Sequence, residues 1–230
     1  MIQENIIQVQ ENIRNACRRV GRNSNEVTLI AVSKTKPLSM IEEAYASGMR
    51  VFGENKPQEM RDKAKTFDAP VHWHMIGTLQ SNKIKYVVGT ACMIHSVDSL
   101  ALAAAIDKEA AKKDLVMDIL LEVNMAGEES KHGFDPSEIY SAVKAIAGFL
   151  HLRLRGLMTV APYTENAEEN RIYFRKMKEL LVDINAKNID NITMDCLSMG
   201  MSSDYEVAIE EGATMVRIGT GIFGERDYSH

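Results

Sequence analysis

A chain of 230 residues with 45% hydrophobic and 26% charged residues can bury the core of one large domain or two small ones, which excludes an intrinsically disordered protein. Its formal net charge of -5, with scattered basic residues, argues against a nucleic-acid-binding surface, because such a surface needs a basic patch to neutralise phosphates. No apolar run approaches the roughly 20 residues of a membrane-spanning helix, so we expect no membrane association.

The first predicted element is an amphipathic helix over residues 2–20, which lacks the apolar region of a secretory signal. After this helix, a short apolar run, a polar turn and a segment with helical spacing recur along the whole chain. The predicted strands are 28–33, 49–53, 71–76, 92–96, 117–123, 152–158, 192–197 and 214–218. The predicted helices between them are 38–47, 56–66, 80–87, 98–112, 136–147, 165–186 and 203–211.

Several of these strands are apolar on both faces, as in "TLIAV" and "DILLEV". That pattern is typical of a parallel sheet covered by helices on its faces. Eight strand–helix units without an intervening linker predict one domain over residues 1–230, an α/β chain folded as a single (β/α)8 TIM barrel with an extra N-terminal helix. A doubly wound open sheet is the alternative, which the absence of a GxGxxG segment after the first strand disfavours.

The three cysteines are Cys17, Cys92 and Cys196, and no two of them form a CxxC pair. Their odd number and wide spacing indicate buried thiols in a reducing compartment rather than a disulfide framework. We therefore expect a cytoplasmic protein.

Polar residues follow the predicted strands at the positions that form the mouth of a barrel, where the active sites of this fold lie. Lys34 directly follows the first strand in "LIAVSKTK", and partial burial there would favour its neutral amine, which can form a Schiff base with an aldehyde. A lysine that simply extends into water is the alternative, and Lys36 fits that description better. Glu54 and Asn55 follow the second strand as candidate polar groups of the same rim.

The last two strands end in segments suited to an anion. "CLSMGMSS" at 196–203 leads a strand through glycine and hydroxyl residues into a helix, and "RIGTG" at 217–221 is again small and rich in N–H donors. Barrels often bind phosphate at the loops after strands seven and eight, with help from a helix N-terminus. The pair of segments therefore indicates a phosphate site, although each alone could be an ordinary turn.

Two other features have competing explanations. His72 and His74 lie on one face of a predicted strand, but they lack a third ligand at metal spacing, so packing or hydrogen bonding is the better interpretation. The charged segment 127–133, "GEESKHG", is a candidate lid over the mouth.

Taken in order along the chain, "AVSKTKP", "FGENKPQE", "WHMIGTLQSNK", "GLMTVAP" and "LSMGMSSDYEVAIEEGATMVRIGTGIFG" resemble the pyridoxal phosphate homeostasis protein family. The resemblance implies a fold-type III barrel similar to the barrel domain of alanine racemase. It also implies that pyridoxal 5'-phosphate (PLP) is the cofactor, held as a Schiff base on Lys34.

The resemblance assigns further residues to the cofactor. Asn55 is expected beside the ring, Arg217 at the pyridine nitrogen, and the phosphate at the last two segments. The residues that it places at the phosphate are Ser198, Met199, Gly200, Ser202, Gly219 and Thr220.

An arginine at the pyridine nitrogen leaves that nitrogen unprotonated and makes the ring a weaker electron sink. A racemase of this fold type also needs a second domain, and the chain ends at His230, just past the predicted barrel. We therefore expect a monomeric PLP carrier involved in intracellular PLP homeostasis, without substantial catalysis and with apo PLP-dependent enzymes as candidate recipients.

Two alternatives to a carrier remain open at this stage. One is an enzyme, either an amino-acid racemase or an aldolase that uses Lys34 without cofactor, with Glu54 or Tyr163 as its base. The other is an interaction protein whose barrel docks partners and has no affinity for PLP.

Overall fold

Eight parallel strands close into one barrel in the structure, a computed structural model that describes residues 1–129 and 132–225. Each strand pairs with the next along the chain, and the eighth pairs with the first, so the sheet closes. This confirms the predicted (β/α)8 barrel. The strands are β1 Thr28–Val32, β2 Val51–Glu54, β3 His72–Met75, β4 Met93–Val97, β5 Met117–Glu122, β6 Leu152–Met158, β7 Cys196–Met201 and β8 Met215–Ile218.

Helices surround the barrel in the order that the sequence predicts. They are α1 Ile2–Arg19, α2 Leu38–Ala46, α3 Pro57–Thr66, α4 Leu100–Lys112, α5 Ile139–Ile146, α6 Arg171–Ala186, α7 Tyr205–Glu210 and α8 Thr220–Phe223. The segment predicted as a helix over 80–87 is a 3₁₀ helix over Ser81–Tyr86. The extra helix α1 buries Ile6, Val9 and Ile13 on one face and packs against α7 and α8. None of the helices in the described part of the chain combines the length and hydropathy needed to traverse a bilayer.

Strand β7 is displaced from its predicted position, because the sequence places it at 192–197 and the structure at Cys196–Met201. Asn185 at the end of α6 exchanges hydrogen bonds with the backbone of Met194, which holds that residue outside the sheet. The strand continues instead through Gly200, whose φ is 94°. A Cβ there would lie 2.7 Å from the Cβ of Ala208 on α7, so glycine is what allows this close approach.

The core has two layers. The larger lies between the barrel and its helices, and a smaller cluster fills the barrel interior. The residues of that interior cluster are Ile30, Met93, Leu120, Met158, Cys196 and Met215. Cys17 and Cys196 are buried as predicted, but the expectation was wrong for Cys92, which is exposed because it lies one residue before β4 begins.

A cluster of ion pairs lies near the amino-terminal ends of the neighbouring strands β5, β6 and β7. Arg153 forms a two-pronged pair with Asp118, with N–O distances of 2.5 and 2.9 Å. Arg155 reaches the same carboxylate at 3.1 Å and also pairs with Asp195. Bidentate arginine–carboxylate contacts of this kind are the stronger class of surface ion pair, so this cluster ties the three strands together at the end of the barrel remote from the mouth.

Candidate functional site

A pocket of about 460 Å³ opens at the carboxyl-terminal rim of the barrel. Six of the predicted site residues line it, namely Lys34, Asn55, Ser202, Arg217, Gly219 and Thr220. Lys34 follows β1, and Ser202 and Thr220 follow β7 and β8, so the amine and the two anion-binding segments meet at one opening. The remaining lining residues are Val32, Ile76, Val160, Tyr163, Met201 and Ser203.

The backbone before Lys34 is held by a buried ion pair. The Ser33 hydroxyl donates to Glu54 Oε1 at 2.6 Å, and Lys63 Nζ donates to the same oxygen and to the Ser33 carbonyl, both at 2.7 Å. Burial raises the pKa of Glu54, and the Lys63 ammonium opposes that shift. Glu54 is fully buried on this network and does not line the pocket, which removes it as the base of an aldolase.

The backbone after Lys34 is also fixed. Thr35 has φ of 63°, a left-handed conformation that is uncommon for a β-branched residue and costs on the order of 1–3 kcal/mol. Its N–H donates to Glu59 Oε1 at 2.6 Å, and Lys63 pairs with that carboxylate at 2.7 Å. Lys34 itself is half-buried. The lysine therefore leaves the strand on a rigid turn.

The loop after β7 presents two hydroxyl groups. Asp204 accepts from the Met201 N–H at 2.7 Å and from the Asn170 amide at 2.9 Å, so the loop is closed over a buried carboxylate. Ser202 and Ser203 lie between these anchors and line the pocket.

The segment after β8 begins the short helix α8. The Gly221 N–H donates to Ser202 Oγ at 3.3 Å, which joins the two predicted anion-binding segments. A Cβ on Gly221 would lie 2.9 Å from Ile218 Cγ2, so the tight turn there requires a residue without a side chain. Lys36 is not merely solvated, since its Nζ bonds the carbonyls of Phe223, Gly224 and Glu225 at 3.0–3.3 Å and anchors the end of α8.

Arg217 supplies a buried cation at the base of the pocket. Its two terminal nitrogens donate to Ser198 Oγ at 2.5 Å and to the Thr159 carbonyl at 2.9 Å. Burial lowers the pKa of Arg217 to about 10, and the charges of Asp204 and Glu122 partly oppose the shift. The guanidinium therefore remains charged, and a donor only, at neutral pH.

Three of the predicted phosphate residues do not line the pocket. Ser198 is fully buried beneath Arg217, Met199 packs in the layer between barrel and helices, and Gly200 makes the close approach to α7. The shift of β7 explains their placement, because residues that would belong to a turn in the predicted register lie within the strand.

The histidine pair that suggested a metal site is separated in the structure. His72 is exposed at the start of β3, whereas His74 is buried and its Nδ1 lies 2.8 Å from Nε2 of His95 on β4. Within residues 1–129 and 132–225, no three histidine, cysteine or carboxylate side chains gather as metal ligands. The candidate lid at 127–133 includes residues 130 and 131, which lie outside the described residues.

Sequence reasoning missed the apolar wall of the pocket and did not single out Ser203, which lines it. Val32, Ile76 and Val160 are near strand ends and were indistinguishable from core residues in the sequence. Tyr163, by contrast, was named from the sequence as a candidate base; it lines the pocket, is 90% exposed and follows the "GLMTVAP" segment after β6. The position of that segment at a predicted strand end was the available signal.

Comparison with known proteins places this barrel among described families. The family model for the alanine racemase N-terminal domain matches residues 5–227. A pyridoxal phosphate homeostasis protein of Aquifex aeolicus is 46% identical over 226 residues, which is 98% of each chain. A protein of the same name from Pseudomonas aeruginosa is 42% identical over 228 residues, with 99% of this chain and 96% of its own covered.

Solved structures agree with the sequence relatives. PipY of Synechococcus elongatus, solved with PLP bound, superposes with a TM-score of 0.85 at 34% identity and covers 97% of this chain and 100% of its own. An alanine racemase of Clostridium difficile superposes with a TM-score of 0.76 over 99% of this chain and 57% of its own. At 12% identity, the racemase likeness shows the shared fold-type III barrel alone.

Proposed function

Because the chain belongs to the pyridoxal phosphate homeostasis protein family, we propose that its pocket binds PLP and that the protein holds and supplies this cofactor without substantial catalysis. The observation that carries the proposal is the meeting of Lys34 with Ser202, Gly219 and Thr220 at one opening. An amine and an anion-binding turn in one pocket match the reactive aldehyde of PLP and the phosphate at its other end.

Features of the pocket independent of the relatives fit this group. Asn55 Oδ1 is buried without a hydrogen-bond partner among the described residues, so it is available to a ligand. Gly221 keeps the turn after β8 tight beside the pocket, because a Cβ there would meet Ile218 Cγ2 at 2.9 Å. Val32, Ile76 and Val160 give the pocket an apolar wall suited to a ring.

Each residue then has a defined role toward the cofactor. Lys34 would hold the aldehyde carbon as a Schiff base, and Ser202, Ser203 and the first turn of α8 would hold the phosphate. Asn55 would lie beside the ring, and Arg217 would donate to the ring nitrogen. When bound, PLP supplies an electrophilic carbon and an electron-accepting ring.

Arg217 also limits the chemistry that the bound ring could support. Because the guanidinium stays protonated at neutral pH, it can only donate to the ring nitrogen, which therefore stays unprotonated and accepts electrons poorly. Burial also keeps the Glu54 carboxylate off the pocket surface. We extend the proposal to a cytoplasmic monomer that passes PLP to apo PLP-dependent enzymes.

The test is an absorbance spectrum of the purified protein with PLP, followed by borohydride reduction, digestion and mass analysis. We expect visible absorbance in the wild type and the added mass on the peptide with Lys34. Lys34→Ala should lose both signals, whereas Lys36→Ala, a matched change two residues away, should keep the linkage on Lys34.

Two results would overturn this proposal. Colourless wild-type protein without affinity for PLP would favour an interaction protein. Steady turnover of an amino acid or of an aldol substrate by pure protein, abolished in Lys34→Ala, would establish an enzyme instead.

A further inference from the structure

A continuous chain of buried polar side chains crosses the barrel interior beneath the pocket. Arg217 Nη1 lies 2.5 Å from Ser198 Oγ, Ser198 Oγ lies 2.8 Å from His95 Nδ1, and His95 Nε2 lies 2.8 Å from His74 Nδ1. The chain spans β8, β7, β4 and β3. All four residues are buried, with exposed fractions of 5% for Arg217, 0% for Ser198 and His95, and 6% for His74.

The chemistry of the donors fixes the direction of this chain. Arg217 can only donate, so Ser198 Oγ accepts from it and directs its own O–H toward His95 Nδ1. His95 then carries its proton on Nε2 and donates to His74 Nδ1. Burial lowers the pKa of both imidazoles, that of His74 to about 4, so each is neutral near pH 7 and has one proton to place.

The direction matters because Arg217 is a buried cation held only by neutral groups at these contacts. Ser198 and the Thr159 carbonyl accept from it, and the carboxylates of Asp204 and Glu122 act on it at longer range. If the Ser198 proton turned toward the guanidinium, two hydrogen-bond donors would face each other in a buried site, and both would lack an acceptor there. An acceptor at His95 Nδ1 prevents that arrangement.

We propose that His95, supported by His74, is a positioning residue for the cofactor site, which orients the Ser198 hydroxyl so that Arg217 is fixed at the pocket base with its remaining donors toward the ligand. His95 does not line the pocket, and it acts through Ser198. The inference rests on the proposed function for its effect on PLP, but the proton order is a property of the protein alone.

The first test needs no variant and no cofactor. In protein labelled with ¹⁵N at its six histidines, we expect the ring signals of His95 and His74 to show the Nε2–H tautomer, unchanged from pH 8 to pH 5.5. A proton on His95 Nδ1, or titration of His95 within that range, would overturn the proposal.

The second test follows PLP affinity by absorbance. His95→Leu removes the acceptor at similar volume, and we expect the dissociation constant to rise about tenfold, the worth of one buried hydrogen bond. His95→Asn places an amide oxygen near the Nδ1 position and should stay within about threefold of the wild type. Met93→Leu changes the same barrel interior but removes no group of the hydrogen-bonded chain, and it should bind as the wild type does.

A double-mutant cycle separates positioning from general damage. If His95 acts through Ser198, then His95→Leu should add little to the loss already caused by Ser198→Ala. Additive losses, or an unaltered affinity in a folded His95→Leu variant, would refute the positioning role. Failure of the wild type to bind PLP would instead refute the proposed function and leave the tautomer result unaffected.

Discussion

Replacing Lys63 by methionine should destabilise the protein in a strongly pH-dependent way. The Lys63 side chain is 11% exposed and its ammonium lies 2.7 Å from Glu54 Oε1, while Glu54 is 0% exposed. Methionine keeps most of the length of the side chain but removes the charge. Glu54 would then keep only the Ser33 hydroxyl among its present partners.

The size of the effect follows from the burial of Glu54. Loss of one partner of a buried ion pair costs about 3–5 kcal/mol, and the remaining Ser33 bond places our expectation near 3 kcal/mol at pH 8. Burial already raises the pKa of Glu54 above its ordinary value of 4.5, and without the ammonium that pKa rises further. A carboxyl with a raised folded-state pKa takes up a proton on folding, so the loss of stability shrinks as the pH falls toward 4.5, by at most about 1.4 kcal/mol per pH unit.

Urea denaturation of wild type and Lys63→Met at pH 5 and pH 8 measures this directly. Lys65→Met, on the exposed side of the same helix, is the matched control and should change the free energy of unfolding by less than about 0.5 kcal/mol. Adding Glu54→Gln to Lys63→Met should recover most of the loss at pH 8, because no buried charge remains. A Lys63→Met penalty that is the same at both pH values, or a double variant no more stable than the single one, would refute the argument.

Two further predictions concern the barrel itself. His74 takes up a proton near pH 6.5 in the unfolded chain but only near pH 4 in the folded protein, so the unfolded state binds more protons between these values. Acidification from pH 6.5 to pH 4 should therefore lower the free energy of unfolding by up to about 3 kcal/mol. Urea unfolding of wild type and His74→Asn across this range measures the effect. Parallel pH profiles of the two proteins would contradict this prediction. Gly200→Ala should lower the free energy of unfolding by about 2 kcal/mol or more, because its Cβ would meet Ala208 at 2.7 Å with φ at 94°. Gly127→Ala, also at positive φ but with open space around its Cβ, isolates the clash, and equal losses in thermal unfolding would argue against it.

The sequence predicted the architecture well because the strands of a parallel barrel are apolar on both faces and recur at regular intervals. The error at β7 arose where that signal is ambiguous. Ile192 and Met194 are apolar and precede "CLSMGM", but the amide of Asn185 holds Met194 outside the sheet. A contact between residues nine positions apart on a loop and a helix end has no periodicity to reveal it.

The site was predictable to the extent that strand ends converge in a barrel. Lys34 and Thr220 could be brought together by topology alone, as could Asn55. The orientation of Ser198 could not, because it depends on the register of β7, which was misplaced. The contact of His74 with His95 was also hidden, since it joins side chains of two strands whose relative stagger is set by tertiary packing.

The ion-pair cluster separates the stability of this barrel from its ligand pocket. Its members are Asp118, Arg153, Arg155 and Asp195. The ion pairs lie at the amino-terminal end of the barrel, whereas Lys34 and the hydroxyl-bearing loops lie at its carboxyl-terminal rim. Salt can weaken these ion pairs without acting on the pocket itself. Pocket-lining side chains can therefore be substituted to suit a different ligand while the ion pairs continue to hold the strands together.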